Sequence, residues 1–126
     1  MAWIMTNPNP KGKLVGDCTV RALSIATGKE WHDTYFGLAL EGAMMCDMPS
    51  ANAVTTSYLR RNGFKRCTIP NDCPQDYSVA DFCADHPQGV YVLGIGSHVV
   101  AVVDGNYWDS WDSGRETPVY YFVKEE

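Results

Sequence analysis

With 126 residues, 45% of them hydrophobic and 20% charged, the chain has the length of one domain, residues 1–126, and the composition to bury a core without disulfide staples. Its net charge of -5 argues against a general nucleic-acid binder, which would carry a basic stripe, and its longest apolar run, Val99 to Val103, is too short to cross a membrane. An odd number of cysteines, five, and a start "MAWIMTNPNP" without a basic region and apolar core fit reduced thiols and a cytoplasmic setting better than a secreted disulfide framework.

In chain order, "NPNPKGKLVG" reads as extended or turning, because each proline pushes the Asn before it out of the α region. A helix follows over Cys18–Thr27, apolar nearly all round and therefore buried, with Gly28 as its stop. The spacing of Trp31, Tyr35, Leu38 and Gly42 predicts a second helix over about 30–44. A third begins after Pro49, capped by Ser50 or Asn52, and ends at Gly63. "FKRCTI" suits a short strand, and "IPNDCPQDYS" a loop broken by Pro70 and Pro74. Ser78 with Asp81 has the spacing of a capping box, opening a short helix that ends before Pro87.

The last third changes character. "GVYVLGI", "SHVVAVVD", "NYWDSW" and "VYYFV" are rich in β-branched and aromatic residues and read as strands, with Asp104-Gly105 as a tight hairpin turn. Helices followed by an antiparallel sheet make the fold class α+β.

Cys18 stands at the first turn of a helix, where backbone N–H groups favour a thiolate. A nucleophilic cysteine also needs a base, usually histidine. The chain offers His32, His86 and His98, and His98 opens the strand that leads into the hairpin. A two-residue turn pairs Val103 with Asn106, sets His98 opposite Trp111, and brings Asp109 diagonally across from His98 on the same face. A turn one residue longer would bring Asp112 there instead; Asp-Gly favours the shorter one. Cys18 as nucleophile, His98 as base and Asp109 as its orienting acid form a triad that needs neither cofactor nor metal. Trp111, on the same face, would line the site and shield the His98–Asp109 contact from water.

The order Cys, His, Asp along "GDCTVRAL" and "SHVVAVVDGNYWDS" resembles the papain-like cysteine peptidase fold, most of all the bacteriocin-leader peptidases and their relatives. "GDCTVRAL" is also similar to the cysteine motif of ovarian-tumour-type deubiquitinases. "NPNPKGKLVGDCTVRA" with "GSHVVAVVDGNYWDSWDSG" resembles small proteins of phages and gut bacteria that bring no known activity. The papain-like resemblance implies N-terminal helices packed on the sheet, a peptide or protein substrate, and a glutamine before the cysteine that donates to the oxyanion. Here "KGKLVG" stands in that place, so Asn7 or Asn9 is the candidate donor beside the Cys18 backbone N–H.

Other readings compete. Lys11, Lys13 and Arg21, near Cys18 in sequence, have the charge to favour its thiolate, but read first as solvated surface charge. Cys67, Cys73, Cys83 and His86 have a loose zinc-like spacing, which buried thiols and an exposed helix-end histidine explain as well. In function, a cysteine peptidase or amide hydrolase stands beside a thiol acyltransferase on the same triad and a catalytically silent binding protein.

Overall fold

A computed structural model describes residues 2–70 and 76–125. The elements run β1 (Trp3–Met5), α1 (Cys18–Thr27), α2 (Trp31–Met45), α3 (Asn52–Arg61), β2 (Phe64–Thr68), α4 (Val79–Asp85), β3 (Val90–Ile95), β4 (His98–Val103), β5 (Asn106–Asp109) and β6 (Tyr120–Lys124). The class is α+β, and all the strands belong to one six-stranded sheet in the order β1-β5-β4-β3-β6-β2.

Local chemistry sets most of these boundaries. Gly28 closes α1 in the left-handed conformation, at φ 73°, and its N–H bonds back to the Ser24 carbonyl. The Ser78–Asp81 capping box opens α4: Ser78 Oγ accepts from the Asp81 N–H at 3.2 Å, and Asp81 Oδ2 accepts from the Ser78 N–H at 3.0 Å. The N-cap of α3 is Ala51, between the two residues expected, and it makes no side-chain cap. Asp104 and Gly105, at φ 50° and 78°, form the two-residue turn, and Val103 pairs with Asn106 as counted from the sequence.

The sheet separates two cores. Ala22, Leu23 and Ala26 of α1 pack with Leu38, Val54 and Leu59 of α2 and α3 against Val92, Ala101 and Phe122. On the other face Val79, Phe82 and Cys83 of α4 meet Leu93, Val100, Val102 and Tyr107. The two central strands are covered on both sides, which is why "HVVAVV" runs apolar without alternation.

Two features depart from expectation. The sheet is mixed rather than antiparallel, because β1 lies parallel to β5, pairing Trp3 with Tyr107 and Met5 with Asp109. Three residues carry little strand signal of their own, and an open edge recruits them. The segment "NYWDSW" stops being a strand at Asp109, so Trp111 lies beyond the ladder and has no paired place opposite His98.

Candidate active site

Cys18 is the first residue of α1 and His98 the first of β4; Asp109 is the last of β5. The hairpin brings the histidine and the acid together. His98 Nε2 lies 2.6 Å from Asp109 Oδ2, while Asp112 turns away, accepting from Tyr107 Oη at 2.6 Å and from the Gly114 N–H at 3.1 Å. Cys18 stands close enough to the His98 side chain and to the Val99 backbone for both to act on its thiol. With Nε2 held by Asp109, Nδ1 is the ring nitrogen left for the sulfur.

Burial pushes the Cys18 thiol up, but it is outweighed by the hydrogen bonds from His98 and Val99 and by the charges of His98 and Arg21, so the thiol lies below its ordinary value. Burial likewise opposes the His98 imidazolium. Hydrogen bonds to Asp109 and Cys18, with their negative charge, overcome it and carry His98 up to about 9. Both shifts favour a thiolate–imidazolium pair.

Asp109 is itself held from several sides. It is buried, with Oδ1 accepting from the Ser110 N–H at 2.8 Å and Oδ2 accepting from Ser113 Oγ at 2.7 Å. Its carbonyl accepts from Trp3 Nε1 and from the Thr6 N–H, both at 3.0 Å, so the parallel edge strand fixes the backbone of the acid. Trp111 leans over the histidine with ring centroids 4.9 Å apart and stays 43% exposed, so it covers one side of His98 without sealing it.

Arg21 is the main correction to the sequence reading. It is buried rather than solvated, ion-paired with Asp17 one helical turn away, and its Nη2 comes within 3.9 Å of Asp109 Oδ1. Asp17, also buried, accepts in addition from Trp31 Nε1 at 3.0 Å and from Asn9 Nδ2 at 3.3 Å. A charged network of two carboxylates and one guanidinium therefore lies under the Cys18–His98 pair. The i, i+4 spacing of Asp17 and Arg21 was the one signal that could have revealed it. Nothing in the sequence marked Ser113 or Trp3 as partners of Asp109.

The two asparagines considered as oxyanion donors are engaged in the segment before α1. Asn7 Nδ2 donates to the Lys13 carbonyl at 3.2 Å, and Asn9 Nδ2 to Asp17. Elsewhere, His86 stacks on Phe82 with centroids 3.8 Å apart, half-buried rather than exposed, and Nδ1 lies 2.9 Å from the Phe82 carbonyl. Cys73 lies outside the described residues, and among those described no group of three His, Cys, Asp or Glu side chains could hold a metal ion. No helix among the described residues is long and apolar enough to cross a membrane. Comparison with protein-family models, curated proteins and solved structures gives no match to this chain.

Proposed function

We propose that the protein is a cysteine peptidase or related amide or isopeptide hydrolase of papain-like architecture, working through a thioester on Cys18. The observation that supports this best is the chain Cys18–His98–Asp109, with the thiol lowered and the imidazole raised. The Cys18 thiolate adds to the substrate carbonyl and forms the C–S bond. The oxyanion faces the N–H groups of the α1 first turn, beginning with that of Cys18. His98 passes its proton to the departing amine as the C–N bond breaks. The imidazole, now neutral, then takes a proton from water, whose oxygen attacks the thioester and releases a carboxylic acid and the thiolate. Asp109 holds the ring in place and stabilises its charged form throughout. A contribution from Asn7 or Asn9 requires its amide to leave the partner it holds at rest.

The test uses p-nitrophenyl acetate. A burst of nitrophenol, with one acetyl group located by mass spectrometry on Cys18 and absent in Cys18→Ala, is the expected result. Acetyl groups spread evenly over Cys18, Cys46 and Cys67 would overturn the proposal. Offering a primary amine beside water then separates acyl transfer from hydrolysis by the product formed.

A further inference from the structure

Beside α4, and lined by none of Cys18, His98, Asp109 and Arg21, lies a cavity of about 220 Å³. Its walls are mainly aromatic. Tyr77 comes from the approach to α4, Phe82 from α4, His86 from the end of that helix and Tyr121 from β6. Ile69, just after β2, and Asp85 complete the lining used here. The volume is below the roughly 300 Å³ at which small-ligand pockets begin, so it suits one group of a ligand and not a whole molecule.

The rings stand at angles to each other. His86 is stacked on Phe82 with centroids 3.8 Å apart, and these two make one wall. Tyr121 makes another, its centroid 5.1 Å from that of Phe82 at 60° and 6.0 Å from that of His86 at 52°. Phe82 is fully buried and anchors the first wall in the α4 core, against which Tyr77 and Tyr121 also pack. Tyr77, His86 and Tyr121 are half-buried, so part of each ring stays open to solvent. Tyr77 is oriented by its hydroxyl, which donates to Asp85 Oδ2 at 2.8 Å.

The charge at this cavity has one sign. Among the described residues Asp85 forms no ion pair, and no lysine or arginine lines the cavity. Aromatic faces carry the negative side of the ring quadrupole, so angled rings beside a carboxylate attract a cation. The net charge of -5 acts in the same direction. Hydration selects the kind of cation. A primary ammonium brings three N–H donors, and aromatic walls do not replace the water those donors lose. A fully methylated ammonium has no N–H to satisfy and meets the rings with methyl groups. A neutral apolar group would fill the walls and leave Asp85 without an opposite charge.

We infer that this cavity binds a methylated ammonium group, trimethylammonium above all. A free quaternary amine and a trimethylated lysine side chain present the same chemistry to it. The site is independent of the proposed reaction at Cys18.

NMR titration of the Tyr121 and His86 ring signals tests this, with sodium chloride matched to each cation. Tetramethylammonium and choline should shift both rings. Neohexyl alcohol, the neutral carbon analogue of choline, and N-acetyl-lysine amide should bind at least about tenfold more weakly. Tyr121→Leu keeps apolar bulk but removes a π face, and should weaken tetramethylammonium binding about tenfold. Asp85→Asn, at an exposed position, should weaken it severalfold, and Tyr121→Phe should bind as the native protein does. Tighter binding of N-acetyl-trimethyllysine amide than of choline would support a protein side chain as the source of the group, and the reverse a free amine. Equal affinity for choline and neohexyl alcohol would reduce the cavity to an apolar cleft and overturn the proposal. Unchanged tetramethylammonium binding in Tyr121→Leu, or no shift of either ring in the native protein, would overturn it too.

Discussion

Two pairs of cysteine and histidine in this molecule have opposite chemistry. In one, Cys18 and His98 meet Asp109, Arg21 and the first turn of a helix, and the thiol is lowered while the imidazole rises to about 9. In the other, Cys83 is packed inside α4 against apolar side chains, burial acts almost alone, and the thiol goes up to about 11. His86, one turn on, lies flat on Phe82 instead of facing an acid. The residue types are the same; what differs is whether burial is accompanied by opposite charge and donated hydrogen bonds. A buried thiol becomes a nucleophile only where those are supplied.

The largest expected effect is on thiol reactivity. At pH 6 an ordinary thiol with pKa near ~8.5 is almost wholly protonated. Iodoacetamide should therefore label Cys18 on the order of 100-fold faster than Cys83 in the folded protein, followed by peptide mass spectrometry. Similar rates for the two thiols would erase the contrast.

Exchanging the histidines sharpens it. His98→Ala takes away the hydrogen bond and charge that offset burial, so labelling of Cys18 at pH 6 should fall to the level of an ordinary thiol. His86→Ala should leave that rate as it is, whatever it does to packing around Phe82. Loss of Cys18 labelling in His86→Ala would mean that the wrong histidine has been assigned as the base.

Stability separates the two pairs by mechanism. Phe82→Ala opens a cavity in the apolar core and should cost about 3–5 kcal/mol in urea unfolding without moving the pH profile of Cys18. Arg21→Met leaves Asp17 buried without its cation and should cost about 3 kcal/mol. Unlike Phe82→Ala, it should also raise the pH at which Cys18 becomes reactive, since the Arg21 charge helps to lower the thiol. An unchanged Cys18 profile in Arg21→Met would limit the network to a structural role.

The smallest effect is the most local. In Asp109→Asn the His98 titration, followed by NMR, should move down from about 9 towards its ordinary 6.5; in Asp112→Asn, where the lost partner is Tyr107, it should stay. Linkage carries the same difference into stability. A histidine raised in the folded state stabilises fully below about 6.5, and the stabilisation fades as pH rises towards its folded value. In a Cys18→Ala background, where the thiol no longer titrates, Asp109→Asn should flatten that fade. An equal slope with Asp and Asn at 109 would mean that something else holds the imidazolium.

The parts that were legible from residues alone are those ruled by local chemistry. Gly28 ends α1 because a left-handed residue must. Asp104-Gly105 makes a two-residue turn, and a period of two then carries the register to Asp109 in preference to Asp112. Tertiary structure decided what no window of sequence contains. Trp3–Met5 became a strand because β5 offered an unpaired edge more than a hundred residues away. Arg21 has the composition of a surface residue and became buried because Asp17 and Asp109 converge on it from a helix start and a strand end. Trp31 and Tyr35 lie on the helical stripe that predicted α2, and the structure makes them the wall of an open cavity that Pro49 and Ser50 also line. Spacing along the chain sets which side chains share a face; which face meets charge, and which meets solvent, depends on elements distant in sequence.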